Sequence, residues 1–203
     1  MKKIAVVGYK GKMGKPIFLA LEENYDVVGV GREQCLEDYS NLDLVIDVAS
    51  GESSVKSAEY CLECNIPIII GSTGQTEQEE ARLKEISKSI KVVKNSNFSI
   101  GFEVLLNMID SCLNQDPIQI EIIEKHHIHK KDSPSGTAIE LKKYIERKSE
   151  KKVEIHSIRE GDEKGEHVIK FGLKNEEITI KHNVFSRQAF VEGCVKEVEK
   201  ILQ

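Results

Sequence analysis

Between residues 4 and 93, five short aliphatic runs (4–7, 26–30, 42–48, 66–70 and 90–93) alternate with helix-patterned stretches (15–23, 53–64 and 76–89). This alternation restricts the fold more than any other feature of the chain. A helix between two strands is the crossover that parallel pairing requires, whereas antiparallel neighbours are joined by tight hairpins. The runs also lack a polar side: Ile4-Ala5-Val6-Val7 and Ile68-Ile69-Ile70 contain no residue that prefers water. Strands apolar on both faces belong inside a parallel sheet covered by helices on either side. The first half therefore reads as α/β, with a Rossmann-type parallel sheet.

The second half has another rhythm. Residues 98–113 carry a long amphipathic helical pattern, 118–123 a strand, and 135–147 a second helix beyond a charged loop. Three strand-like runs follow at 153–158, 167–171 and 177–184, before a last helical stretch at 187–202. This half is expected to be a second, mixed α/β domain with helices on one face of its sheet. No Pro- or Gly-rich linker parts the halves, and residues 95–99 are the expected hinge.

Composition removes several function classes. Lys and Arg number 29 against 34 Asp and Glu, a net charge of −5. A general nucleic-acid binder needs a basic footprint, so no nucleic acid is expected as partner. No apolar run approaches the roughly 18 residues of a membrane span, so no membrane is expected either. The apolar stretch after Met1-Lys2-Lys3 ends at Gly8, too short for a secretory signal. Five cysteines, an odd number, make no disulfide framework. A cytoplasmic, reduced protein is expected.

Gly8, Gly11 and Gly14 lie between the first strand and the first helix. There, glycines allow a tight turn and a close backbone approach to a pyrophosphate, which the helix N-terminus then faces. The spacing is G-x-x-G-x-x-G rather than G-x-G-x-x-G, and a plain strand-to-helix turn is the alternative reading. Lys10 and Lys12 add positive charge where phosphates would lie. The second strand ends Val30-Gly31-Arg32-Glu33. An acidic residue at that end bonds the ribose 2′-hydroxyl of NAD, and an Arg accommodates the 2′-phosphate of NADP. With Gly31 terminal and Arg32 next, NADPH is the expected cofactor and NADH the second choice; Glu33 stands one position late for the NAD role.

The richest segment is 125–131, Lys-His-His-Ile-His-Lys-Lys, in a chain that is otherwise acidic. Such charge draws an anionic substrate. Ser135, after Pro134, is placed to cap a helix whose first amides, near Gly136 and Thr137, would face a carboxylate or phosphate. His126, His127 and His129 are also metal-ligand types, but no Cys is near and the lysines repel a cation, so no metal is expected. A solvated basic loop is the bland alternative. The preferred reading is an anion-binding catalytic loop in which His and Lys move protons.

The stretch Glu121-x-x-Glu124-x-His126-His127-x-His129-Lys130-x-Asp132-x-Pro134-Ser135-Gly136-Thr137-Ala138 resembles the signature of the 4-hydroxy-tetrahydrodipicolinate reductase family. The resemblance extends in order to Gly8–Gly14, to Gly71-Ser72-Thr73-Gly74, to Asn97-Phe98-Ser99-x-Gly101, and to Gly165-Glu166-His167 and Ser186-Arg187 with Phe190 and Gly193. It implies reduction of 4-hydroxy-tetrahydrodipicolinate in the diaminopimelate route to lysine, with NADPH or NADH. His126 would be the catalytic proton donor or acceptor, and Lys130 the second proton donor. His127, Gly136 and Thr137 would hold the small dicarboxylate substrate. Gly8, Tyr9, Lys10, Gly11, Lys12, Met13, Arg32, Gly71, Ser72, Thr73, Asn95, Ser96, Asn97 and Phe98 would line the cofactor. It also implies a dinucleotide-binding domain of residues 1–97 completed by 187–203, and a substrate-binding and oligomerisation domain of 98–186.

The chain departs from the family by being short. Residues are missing between Arg32 and Asp43, and again before Gly165, where the family carries a strand used in its tetramer. A homo-oligomer is therefore expected, as a dimer rather than a tetramer. Two rivals share the fold: a nucleotide sensor without turnover, and a different imine or amino-acid dehydrogenase. The intact His126, Lys130 and Gly136-Thr137 set speaks against both. Cys61-x-x-Cys64 lies late in a helical pattern and reads as packing rather than redox chemistry. His156, His167 and His182 fall in strands and read as structural or pocket-lining.

Overall fold

The computed structural model describes residues 1–162 and 165–203. The chain separates into two compact units, Met1–Phe98 with Phe190–Gln203, and Ser99–Ala189. Among the described residues, no helix is long and apolar enough to cross a membrane.

The first unit is a five-stranded, wholly parallel sheet. It holds β1 (Lys3–Val7), β2 (Asp26–Val30), β3 (Leu44–Asp47), β4 (Ile68–Ile70) and β5 (Val92–Lys94), in the order β2-β1-β3-β4-β5. The crossovers are α1 (Gly14–Leu21), α2 (Gly51–Cys64) and α3 (Glu77–Ile86). Between β2 and β3 the chain makes only a short 3-10 turn, Leu36–Asp38. Side chains of a strand alternate between the two faces. Ile4 and Val6 pack with Ile17 and Leu21 of α1 on one face; Ala5 and Val7 pack with Ala58 and Cys61 of α2 and Leu83 and Ile86 of α3 on the other. Burying each aliphatic side chain contributes roughly 1.5–3 kcal/mol, which is why the strands need no polar side.

The C-terminal helix α6 (Gln188–Leu202) completes the first face, with Val191, Cys194 and Val198 in the same cluster as Ile4 and Val6. Its seat depends on Gly193, whose Cβ would lie 1.5 Å from the Phe98 carbonyl oxygen. Helix ends follow local chemistry. Thr76 and Glu79 form a reciprocal capping box at the start of α3, and α2 stops at Asn65, which takes the left-handed conformation. Cys61 is fully buried and its burial pushes the thiol pKa up, as packing rather than redox use requires.

The second unit is a four-stranded mixed sheet, order β7-β6-β8-β9, built from β6 (Gln119–His126), β7 (Val153–Arg159), β8 (Glu166–Gly172) and β9 (Glu177–Asn183). Only β6 and β7 are parallel, with α5 (Gly136–Ser149) as their crossover. Helices α4 (Ile100–Leu113) and α5 cover one face through Leu105, Ile109, Leu141 and Ile145. That face changes character along the strands. Ile120 pairs with Phe171 and Val153, and Ile122 with Ile169 and Ile155. Then Glu124 stands opposite His167 and Ser157, and His126 opposite Arg159. The aliphatic end holds the fold and the polar end carries the chemistry.

Several boundaries differ from the sequence reading. β4 begins at Ile68 rather than 66, after Pro67, which has no N–H to give to a ladder. Ile90 belongs to the turn closing α3, its amide bonded to the Ile86 carbonyl, so β5 starts at Val92. α4 starts at Ile100, because Phe98 is buried in the first unit. β6 runs on to His126, through residues expected in a loop, because ladder bonds and ion pairing hold them there. The shortfall expected before Gly165 falls partly on residues 163 and 164, outside the described residues.

Candidate active site

In the first unit, the carboxyl ends of β1, β2 and β3 surround a cleft of about 1090 Å³. The chain turns to opposite sides of β1 there, the switch point at which open α/β sheets bind ligands. Gly8, Lys10 and Gly11 line the cleft from the β1–α1 turn, Gly31 to Gln34 from the end of β2, and Val48, Ala49, Ser50 and Ser53 from the β3–α2 turn. Gly8 sits at φ +82° with its amide on the Val30 carbonyl, and a Cβ on it would lie 3.0 Å from Ala49. A Cβ on Gly14 would lie 2.1 Å from the Gly8 carbonyl oxygen. The turn therefore admits only glycine at both positions. Met13 precedes α1 without a side-chain cap bond, and the Lys15 amide donates to the Gly11 carbonyl. A bare glycine turn, a helix start without a side-chain cap and Lys10 fit the pyrophosphate of a dinucleotide.

Other expected cofactor residues have different surroundings. The Tyr9 ring lies on Gly29, whose Cβ would meet Tyr9 Cγ at 2.5 Å, and stacks at a tilt near Phe18. Met13 is half-buried in the core beside it, and Lys12 is exposed. Gly71, Ser72 and Thr73 follow β4, and Asn95, Ser96, Asn97 and Phe98 follow β5, on the same sheet edge but outside the lining of this cleft. A Cβ on Gly71 would lie 2.9 Å from the Phe98 ring. The Gln75 amide donates to the Ser72 carbonyl and to its hydroxyl.

The sequence reading passed over Asp47. Its buried carboxylate accepts the Ser53 hydroxyl at 2.7 Å, the Ser57 hydroxyl at 2.6 Å and the Ala49 amide at 3.0 Å. Burial raises its pKa, and these three donors oppose the rise. The carboxylate thereby fixes the β3–α2 turn that forms one wall of the cleft.

In the second unit, Glu124 is the hub of a buried polar cluster. Arg159 donates to it twice, from Nη1 to Oε2 at 2.9 Å and from Nη2 to Oε1 at 2.6 Å. The Ser135 amide donates to Oε1 at 3.2 Å, and His126 Nδ1 bonds Oε2. Burial alone would raise the Glu124 carboxyl; bonds from Arg159, Ser157 and His126 outweigh it and hold it down to about 2. An ionised carboxylate only accepts, so His126 carries its proton on Nδ1 and, when neutral, keeps Nε2 open. Nε2 faces Gly165, where a Cβ would come within 3.3 Å. Burial lowers the His126 pKa and Glu124 pulls it back up, while the charges of Lys130 and Arg159 add to the lowering. The net shift is downward, so the ring is neutral near pH 7.

His167 stands edge-on to His126, ring centroids 5.4 Å apart, with its Nε2 3.2 Å from the Ser135 hydroxyl. Burial foremost drives its pKa down to about 3. Ser135 caps α5 as expected, accepting the Ala138 amide at 3.2 Å. Lys130 Nζ pairs with Asp132 Oδ2 at 2.9 Å, and the Gly136 backbone lies near enough to help lower the Asp132 pKa. Thus Lys130 and Gly136 converge on one carboxylate group. Thr137 follows on the first turn of α5, half-buried. His127 is half-buried, its ring 6.2 Å from that of the exposed His129. Among the described residues, no three His, Cys, Asp or Glu side chains are grouped to hold a metal ion.

The family model for the dihydrodipicolinate reductase N-terminus matches residues 2–98, and that for its C-terminus matches residues 101–203. The chain is 36% identical over 203 residues to the 4-hydroxy-tetrahydrodipicolinate reductase of Thermosipho africanus (strain TCF52B), covering 98% of this chain and 91% of the relative. Against the enzyme of that name from Caldanaerobacter subterraneus subsp. tengcongensis, identity is 32% over 234 residues, covering 100% and 93%. Its fold is similar to that of a dipicolinate-bound dihydrodipicolinate reductase from Paenisporosarcina sp. TG-14, with a TM-score of 0.74 and 22% identity over 99% of this chain and 94% of that one. With both halves matched in order along nearly its whole length, the chain belongs to the dihydrodipicolinate reductase family.

Proposed function

We propose that this chain is a nicotinamide-dependent reductase that converts 4-hydroxy-tetrahydrodipicolinate to tetrahydrodipicolinate, in the diaminopimelate route to lysine. The convergence of Lys130 and Gly136 on one carboxylate, beside a His126 with an open Nε2, carries this reading. A small dicarboxylate needs anion clamps and a proton source. Gly136, Thr137 and His127 clamp it. The substrate's 4-hydroxyl and an adjacent hydrogen leave as water, and hydride then adds. Lys130, an ammonium, donates the proton that balances the hydride, and His126 holds or passes a proton at Nε2. When bound, the reduced nicotinamide supplies hydride. A sensor without turnover would need neither the lysine nor the buried imidazole.

In the first unit, Gly8, Lys10 and Gly11 hold the pyrophosphate. Arg32 reads the adenosine ribose, and the phosphorylated cofactor, NADPH, is preferred over NADH. Gly31 has no carboxylate, and Gln34 already accepts its amide at 2.9 Å. Tyr9, Lys12 and Met13 shape the turn; 71–73 and 95–98 serve the nicotinamide end. Residues 1–97 with 187–203 act as the nucleotide-binding domain and 98–186 as the substrate domain. The protein works in the cytoplasm as a homodimer. The test is consumption of reduced cofactor on addition of freshly generated hydroxy-tetrahydrodipicolinate; no consumption with either cofactor overturns the reading.

A further inference from the structure

The loop between β6 and α5 sets its lysine and the start of α5 beside a carboxylate that belongs to the chain itself. Asp132 Oδ2 lies 2.9 Å from Lys130 Nζ, close to the start of α5, where the Gly136 backbone helps to lower the Asp132 pKa. These are the groups that the proposed function assigns to the substrate. The backbone of Asp132 is pinned separately, its carbonyl oxygen accepting Arg159 Nη2 at 2.7 Å. Its side chain is not pinned by packing: it is 56% exposed, whereas that of Lys130 is 22% exposed. The carboxylate is therefore the more solvent-accessible partner of the pair.

We propose that Asp132 is a specificity-determining residue that acts as an internal stand-in for a substrate carboxylate. It keeps Lys130 and the start of α5 aligned until a ligand carboxylate displaces it. An exposed ion pair and a charge at a helix N-terminus each contribute little. Displacement by another carboxylate replaces both terms nearly in kind. A ligand with an amide or hydroxyl at that point loses them and gains little. Competition with Asp132 thus selects anionic over neutral ligands of the same shape, at the expense of some affinity for the right one. The inference rests on the proposed function, since it takes the ligand to be a small dicarboxylate.

Pyridine-2,6-dicarboxylate is a suitable probe, and its binding can be measured calorimetrically with no turnover. In Asp132→Asn the probe is expected to bind about three- to tenfold more tightly than in wild type at low ionic strength. Because Asp132 is exposed, the variant should melt close to wild type. Glu160→Gln is the control for a general change of charge: the Glu160 side chain pairs with Lys125 rather than with Lys130. It should leave probe affinity unchanged. Equal or weaker binding in Asp132→Asn, with wild type binding normally, would show that Asp132 orients Lys130 without competing and overturns this inference alone. Equal tightening in both variants also overturns it. Failure of wild type and variant alike to bind the probe overturns it together with the proposed function.

Discussion

Arg159 and Glu124 are locked in a two-point grip, Nη1 to Oε2 at 2.9 Å and Nη2 to Oε1 at 2.6 Å, although 35 residues separate them in the chain. The grip keeps Glu124 ionised while fully buried, and the ionised carboxylate sets the tautomer of His126. Removing one partner of a buried pair leaves the other uncompensated, typically at about 3–5 kcal/mol. Glu124→Gln should therefore lower unfolding free energy by that order in urea titrations. It should also move the pH profile of turnover and lower kcat more than it changes KM. A variant with normal stability and an unshifted profile would contradict the positioning role.

Acid should destabilise the protein in a defined window. His167 is held down to about 3, well below the ordinary 6.5 of a free imidazole. It is neutral in the fold, so the unfolded chain takes up a proton that the native state refuses. Its contribution to stability is fully present above about 6.5 and is lost as pH falls toward 3. Glu124, lowered from 4.5 to about 2, adds a second loss that begins near 4.5. Urea titrations from pH 7 to 4 should show stability falling with pH, and His167→Gln should flatten that slope. An unchanged slope would place the titration elsewhere.

The first-unit elements were legible because their pattern is local: apolar runs, a glycine turn and helix caps all lie within a few residues. The Lys-His loop was legible through its charge, and Ser135 as a cap through its place after Pro134. Arg159 and His167 were not legible as site residues, because only strand register brings them to Glu124 and His126. Glu124 was visible in the motif but had no evident role without its partners. The packing of the Tyr9 ring on Gly29 was not legible either, since sequence spacing does not reveal that contact.

Gly193→Ala tests how α6 joins the first unit. The added Cβ would lie 1.5 Å from the Phe98 carbonyl oxygen, and backbone must move to relieve it. A loss of about 1–3 kcal/mol or more is expected, read as a lowered urea midpoint. Wild-type stability would mean that α6 is not seated there.

The proposed preference for NADPH assigns the ribose phosphate to Arg32. An Arg-to-phosphate bond is charge-assisted, worth about 1.5–3 kcal/mol. Arg32→Ala should weaken NADPH binding about tenfold or more and leave NADH nearly unchanged, by fluorescence titration. An unaltered NADPH dissociation constant would remove Arg32 from the site.

The most direct measurement is reductase turnover in wild type, His126→Gln and Lys130→Ala, with freshly generated hydroxy-tetrahydrodipicolinate and either reduced cofactor, following loss of nicotinamide absorbance. Wild type should consume cofactor only when substrate is present. Each variant should lose roughly 10²–10⁴ in kcat, the usual worth of proton transfer, while binding reduced cofactor as wild type does. Absence of substrate-dependent turnover in the folded wild type, or full turnover in both variants, would contradict the account.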